Sequence, residues 1–106
     1  MTKANIIPGF GDAVCSRGPD GIKTNIPRRI IYHSPDGFEW GYGGSGPADF
    51  ALNILSVYIG EEEARRYYQD FKFTFVAGLA YEGGVIKRET IMAWVGEARH
   101  KYSKGL

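Results

Sequence analysis

Residues 38–49 read Phe38-Glu39-Trp40-Gly41-Tyr42-Gly43-Gly44-Ser45-Gly46-Pro47-Ala48-Asp49. In the first half, aromatic residues alternate with glutamate or glycine, which is the pattern of a strand with one apolar face. A glycine-rich turn follows, and Pro47 suits the first turn of a helix, where an N–H group has no helical partner to lose. The stretch therefore predicts a strand, a tight turn and a helix start, and we expect the fold to be arranged around this corner.

The residues before the corner predict a β-hairpin. Residues 29–33 are β-branched and aromatic, residues 34–37 are Ser-Pro-Asp-Gly, and residues 38–42 supply a return strand. Proline in second place and glycine in fourth place are typical of a β-turn. Residues 1–27 are rich in glycine and proline and predict an irregular arm with at most a short strand. A turn signal at residues 18–21 would allow a loose hairpin within that arm.

The helix after Gly46 is predicted to be central and mostly buried. Its polar residues Asp49, Asn53 and Ser56 fall on one narrow strip, while the rest of its circumference is apolar. We expect Asp49 to lie in the first turn, where a carboxylate complements the helix dipole. Gly60 is expected to end the helix.

The second half of the chain predicts two further helices and one strand. Glutamates at residues 61–63 open a helix, residues 71–76 alternate as a strand, residues 81–84 form a loop, and residues 87–102 form a last helix. The apolar face of the predicted strand consists of Phe71, Phe73 and Phe75.

These elements predict an α+β fold in the order β-β-α-α-β-α. A small antiparallel sheet, made of the β-hairpin and one or two further strands, would pack against about three helices. The expected organisation is an irregular arm at residues 1–27, a single domain at 28–102 and a frayed tail at 103–106.

Composition excludes several classes of protein. The chain has 106 residues, 43% of them hydrophobic, and a formal net charge of +1. We expect no nucleic-acid binding, which needs an excess of Lys and Arg, and no membrane span, which needs a long apolar run. Cys15 is the single cysteine, so no internal disulfide can form. Together these features predict a soluble, cytoplasmic protein.

The glycine-rich turn fails the catalytic and cofactor templates that it partly matches. Residues 41–46 satisfy G-x-G-x-x-G, but the expected hairpin does not supply the parallel β-α-β unit of a dinucleotide fold. Pro47 and Ala48 stand where a P-loop needs Lys and Ser or Thr, and Pro47 also breaks a nucleophile elbow around Ser45. The two histidines, His33 and His100, have no partner that the sequence places beside them. We therefore assign no catalytic residue, metal ligand or cofactor.

A helix N-terminus with small residues before it can still hold an anion, because its N–H groups are unpaired and carry partial positive charge. The candidate anion site consists of Gly43, Gly44, Ser45 and Gly46. Two alternatives remain open: Asp49 already takes those donors, or the glycines serve only to let a tight turn pack. Candidate residues for contact with a partner, chosen because aromatic residues and arginine dominate interfaces, are Tyr42, Tyr81, Arg28 and Arg29.

The run at residues 33–48, His-Ser-Pro-Asp-Gly-Phe-Glu-Trp-Gly-Tyr-Gly-Gly-Ser-Gly-Pro-Ala, resembles a family of small uncharacterised proteins of phages, prophages and bacteria. That family is described as a domain of unknown function. The likeness covers about residues 33–94 and continues through residues 51–55 and 68–72. The resemblance implies a small cytoplasmic accessory protein of phage origin, and it implies no catalytic residue.

Two functions follow as hypotheses. The first is a non-enzymatic accessory protein that binds and inhibits a host protein, as a phage counter-defence protein would inhibit a defence system. The alternative is a small-ligand module that sequesters a nucleotide or another phosphorylated signal at the turn of residues 43–46. An enzyme is the less favoured interpretation.

Overall fold

The structure is a computed structural model that describes residues 5–105. It is an α+β fold in the predicted order β-β-α-α-β-α. The strands are β1 (Ala13–Gly18), β2 (Gly21–Thr24) and β3 (Gly83–Ile86), and the helices are α1 (Ser45–Ile59), α2 (Glu61–Phe71) and α3 (Arg88–Gly105). A single π-helical turn, Lys72–Val76, extends α2 and is called the π turn below.

The sheet is antiparallel with the strand order β2-β1-β3, and its strands are not those that the sequence predicts. The expected arm contains a regular hairpin, in which Gly18 pairs with Gly21 across the two-residue turn. The expected loop at 81–84 leads into β3, which pairs with β1 so that Ala13 lies opposite Ile86. Small and polar residues in these short strands conceal the period-2 pattern that marks a strand.

Residues 29–33 and 38–42 do not form the predicted β-hairpin. Side chains of α1 replace a partner strand: Asn53 Oδ1 accepts the backbone N–H groups of Arg29 and Ile30, each at 3.0 Å. Two aromatic residues of the predicted return strand pack on α1 instead, with the Phe38 and Trp40 rings 4.9 and 5.8 Å from the ring of Phe50, while Tyr42 is 53% exposed. The alternating pattern of residues 38–42 therefore arises from an irregular segment that is partly buried on α1, and not from a strand.

Residues 71–76 are also helical rather than a strand. The N–H of Ala77 donates to the carbonyl of Lys72 at 2.8 Å, which is the i to i+5 bond of a π turn. Phe71 is buried while Phe73 is 65% exposed, so the three phenylalanines do not share a face. Phe71 and Phe75 instead contact each other at 4.8 Å, as residues four apart on a helix do. The extension of α2 prevailed over the local preference of aromatic residues for strands.

The core is centred on α1, as predicted, because residues 46–59 are all buried. Gly60 ends this helix with φ at 90°, and its N–H donates to the Ser56 carbonyl at 2.9 Å. The predicted last helix is confirmed as α3, which buries Ile91 and Val95. The helix α3 continues to Gly105, and Leu106 of the expected tail at 103–106 lies outside the described residues. Within residues 5–105, no helix combines the length and apolar character that a membrane span requires.

Candidate functional site

The glycine-rich corner enters α1 through Gly44, which precedes the first helical residue, Ser45. Gly44 has extended backbone angles, and its carbonyl accepts the N–H of Ala48 at 3.1 Å. Among the described residues, no side chain caps this end of α1. The first turn therefore keeps the uncapped N–H groups that the candidate anion site requires.

Each of two glycines of the candidate anion site makes room for a neighbouring side chain. A Cβ atom at Gly44 would overlap the ring of Tyr42. A Cβ atom at Gly46 would lie 2.8 Å from the Cβ of Glu39, closer than real Cβ atoms approach. These contacts give the glycines a steric role, which is one of the two alternatives that the sequence leaves open.

Lys72 brings a positive charge to the same corner. The residue is only 6% exposed, and its Nζ donates to the Gly43 carbonyl at 3.2 Å. The ammonium also lies 4.2 Å from the ring centre of Phe73. The sequence interpretation missed this lysine because a strand at 71–76 would have pointed it away from the phenylalanines, toward solvent.

Asp49 does not serve the N-terminus of α1, so the expected interaction with the helix dipole is wrong. It is the fifth residue of α1 and is completely buried. Its carboxylate accepts the backbone N–H groups of Tyr32, His33 and Ser34 at 3.1, 2.8 and 2.9 Å. Asp49 therefore leaves the first-turn donors free and fixes the loop before the corner. Polar residues at i and i+4 on an otherwise apolar helix were the signal for this role.

A second cluster lies beside the corner around Arg17 of β1. Its guanidinium lies 4.1 Å from the ring centre of Tyr81 and 4.7 Å from that of Trp40. The same group holds Glu39 in a two-point ion pair at 2.8 and 3.1 Å. The hydrogen bonds from Arg17 hold the pKa of Glu39 below its usual value. No local pattern pointed to Arg17, because the segment that carries it was expected to be an irregular arm.

The structure places the two predicted contact tyrosines on adjacent segments. The N–H of Gly41 donates to the Val76 carbonyl at 3.0 Å, and the indole N–H of Trp40 donates to the Tyr81 carbonyl at 3.1 Å. Tyr42 is 53% exposed and Tyr81 is 71% exposed. We call the surface formed by Tyr42, Tyr81 and Arg17 the tyrosine corner.

The two predicted contact arginines bind other parts of the chain. The Arg28 guanidinium donates to the carbonyls of Ser34 and Pro35 at 3.1 and 2.6 Å. The Arg29 guanidinium donates to the Asn5 carbonyl at 3.2 Å. Both side chains therefore stabilise the irregular segment that precedes the corner.

Two titratable groups outside these clusters are the imidazole of His33 and the thiol of Cys15. His33 Nε2 lies 2.6 Å from the Tyr68 hydroxyl oxygen, and this pair stands beside α2. Cys15 is buried in β1, and burial raises the pKa of its thiol. Across residues 5–105, no group of three His, Cys, Asp or Glu residues is placed to hold a metal ion.

Comparison with known proteins identifies a family. The sequence model of a family of unknown function, DUF6166, matches residues 9–97. The match begins before β1 and ends within α3, so it includes both the glycine-rich corner and the tyrosine corner. Neither the curated proteins nor the solved structures contain a match to the chain.

Proposed function

The chain belongs to the family of unknown function DUF6166, and from its geometry we propose that it is a non-enzymatic accessory protein that binds another protein. The observation that carries this proposal is the tyrosine corner, where two exposed aromatic rings stand on a firmly held backbone. Tyrosine is among the residues that contribute most to binding energy at protein interfaces.

The contacts that hold the Tyr81 side chain favour binding, because they reduce the conformational entropy that is lost when a partner binds. The ring of Tyr81 is stacked on Arg17, and Arg17 is itself held by Glu39. Immobilising a free side chain costs about 0.5–1.5 kcal/mol on association, and a ring that is already stacked avoids part of that cost.

The backbone beneath the rings is held equally well. Trp40 is buried, and its indole N–H bridges the carbonyls of Ala80 and Tyr81 at 2.8 and 3.1 Å. Segments anchored in this way retain their conformation on binding, as most pre-organised interfaces do. The tyrosine corner thus combines exposure with a fixed shape.

The partner that we propose is a host protein, and the role is phage-type counter-defence by inhibition of that protein. This finer proposal rests on the likeness of residues 33–48 to phage and prophage proteins. A small cofactor-free domain can inhibit a larger protein by occupying its surface.

Replacement of Tyr81 tests the interface. We expect Tyr81→Ala to weaken capture of the partner from a host lysate by about 30-fold, which corresponds to a hot spot of about 2 kcal/mol. Tyr32→Ala is the matched control. Tyr32 is also exposed and also stacked on an arginine, but that arginine is Arg65 of α2 and is not part of the tyrosine corner. Equal loss of capture in both variants, or in neither, contradicts the proposed surface.

Inhibition needs a separate measurement in cells. A host that expresses the protein should be infected more efficiently by a phage that its defence system normally restricts. Tyr81→Ala should lose this effect while Tyr32→Ala keeps it. If the wild-type protein binds a partner through Tyr81 but never changes infection, the binding function stands and the counter-defence role is wrong.

Lys72 favours a second candidate function, the sequestration of a phosphorylated small ligand by Gly43, Gly44, Ser45 and Gly46. Its ammonium adds a full charge to the uncapped end of α1, and Arg17 neutralises the nearby carboxylate of Glu39. We expect inorganic phosphate or nucleotides to raise the melting temperature of the wild type but not of Lys72→Met. Identical melting responses in both proteins contradict this candidate.

A further inference from the structure

An open groove of about 660 Å³ runs between α3 on one side and α2 with the π turn on the other. Tyr67 and Phe73 form one wall, and Trp94 and Tyr102 form the other. Phe73 is 65% exposed and Tyr102 is 45% exposed, so the groove presents aromatic surface to solvent. Contiguous exposed apolar surface of this kind marks a site of association.

The side of α3 that lines the groove overlaps in part with the side that holds α3 to the core, because the Trp94 ring packs on the ring of Phe71 at 5.4 Å, whereas Glu97 and Lys101 are exposed. Ile91 and Val95 are fully buried, and Arg99 pairs with Glu63 of α2 at 2.5 Å. Trp94 and Ala98 line the groove and are four residues apart, which places them on one stripe of the helix. The exposed part of this stripe, at Glu97 and Lys101, is therefore available for a partner, while Trp94 and Ala98 remain partly buried against the core.

The charges on this stripe are self-complementary. Glu97 and Lys101 both line the groove and lie one helical turn apart. If a second copy of α3 lies antiparallel across the stripe, a two-fold axis between these positions brings each Glu97 against a Lys101. One symmetric contact thus forms two ion pairs, as the isologous interface of a two-fold dimer requires.

We propose that this groove is the interface of a two-fold homodimer in which α3 of one copy lies antiparallel in the groove of the other. Ala98 stands between the two charged positions, and its small side chain lets the helices approach closely. The exposed rings of Phe73 and Tyr102 fill the groove of the second copy. This inference goes beyond the proposed binding of another protein, since neither Tyr42 nor Tyr81 lines the groove.

The size of the contact sets a condition on the dimer. A stable interface buries about 800 Å² on each partner, whereas the chain exposes 5986 Å² in total. The 18 residues of α3 span about 27 Å. The interface must therefore extend from α3 across the groove to α2 and the π turn, so residues on both walls contribute.

Charge reversal tests this arrangement directly. Analytical ultracentrifugation of the wild type should show a species of twice 11.8 kDa at micromolar concentration. Glu97→Lys alone places two lysines against each other, and Lys101→Glu alone places two glutamates together, so each variant should dimerise at least about tenfold more weakly. An equimolar mixture of the two variants should recover the dimer, because every contact then joins a lysine and a glutamate.

The control is Glu89→Lys, a reversal in the first turn of α3 outside the groove, which should dimerise like the wild type. Circular dichroism would confirm that each variant keeps its helices. A wild type that is monomeric at all concentrations overturns the proposal, and so does a dimer that neither reversal weakens. Failure of the mixed variants to associate overturns the antiparallel arrangement and with it the proposed interface.

Discussion

The carboxylate of Asp49 accepts the backbone N–H of His33 at 2.8 Å, although the two residues lie on opposite sides of the glycine-rich corner. The same carboxylate also binds the N–H groups of Tyr32 and Ser34. A buried side chain of α1 thus supplies the acceptors that a neighbouring strand would supply in a sheet. This relationship explains how residues 29–34 remain ordered without regular secondary structure.

Asp49→Asn should destabilise the protein by about 3 kcal/mol. The asparagine keeps one acceptor oxygen but replaces the other with an NH₂ group, which cannot accept a backbone N–H and leaves buried donors without a partner. Urea unfolding measures the change as a lower midpoint. Asp36→Asn, at an exposed position in the preceding turn, should change stability by no more than about 0.5 kcal/mol. Equal midpoints for both variants would contradict the role of Asp49.

Gly83→Ala should prevent β3 from pairing with β1 and should lower the free energy of unfolding by about 3 kcal/mol or more. Gly83 has φ at 108°, and a Cβ atom there would overlap the carbonyl oxygen of Cys15 in β1. Gly96→Ala is the matched control, because Gly96 lies inside α3 with open space around it. That variant should gain about 0.5–1 kcal/mol from helix propensity. Thermal unfolding should therefore move in opposite directions for the two variants.

The ion pair between Glu63 and Arg99 should make stability depend on acid pH. Hydrogen bonds from Arg99 hold the pKa of Glu63 below the ordinary value for a glutamate, so the folded state favours the ionised carboxylate. This contribution is present above the unfolded pKa and is lost as the pH falls through the lower folded pKa. At neutral pH, Glu63→Gln should cost about 0.5–1 kcal/mol, a small value because the pair is partly solvated.

The difference in free energy of unfolding between the wild type and Glu63→Gln should shrink as the pH falls through the folded pKa of Glu63. Denaturant unfolding at several pH values measures this difference. The control is the same comparison in an Arg99→Met background, where Glu63→Gln should have little effect at any pH. A pH-independent difference in the wild-type background would show that packing, and not the ion pair, accounts for the cost.

Tyr58 should lose its stabilising role only in strong alkali. Burial, followed by the charge of Asp12, raises the pKa of Tyr58 to about 12, and the hydroxyl donates to the Gly11 carbonyl at 2.6 Å. Because the folded pKa exceeds the unfolded pKa, the contribution is present below the unfolded pKa and is lost as the pH rises through about 12. Tyr58→Phe should cost about 1 kcal/mol at neutral pH. Absorbance titration should lack the last tyrosinate step in that variant.

The sequence was sufficient to predict the helices but not the strands. Residues 46–59 are apolar around most of the helix, and Gly60 marks its end, so α1 was predicted closely. Residues 71–76 satisfy two patterns at once, since Phe71 and Phe75 also have helical spacing, and only the continuation of α2 decides between them. Of the hairpin at residues 13–24, only the turn was predicted, because Ser, Arg, Lys and Thr in its strands form no clear apolar face.

In the candidate sites too, features set by neighbouring residues could be predicted, whereas contacts between distant segments could not. The position of the glycine-rich turn follows from local sequence, but the alternation of residues 38–42 would bury Tyr42 beside Phe38 and Trp40, whereas Tyr42 is 53% exposed. The approach of Arg17 to Tyr81 and of Lys72 to Gly43 depends on how distant segments pack. Pairs of residues separated by so much chain have no spacing rule that a single sequence can reveal.

The pairing of β1 with β3 has a consequence for the order of folding. Ala13 of the central strand β1 pairs with Ile86 of β3, which follows α1 and α2 in the sequence, so this pairing closes a long loop. Closing so long a loop costs entropy that only the finished contact returns, which slows folding relative to local helix formation. During synthesis on the ribosome, the helical pair α1–α2 can therefore assemble early, while the sheet closes only after β3 has emerged.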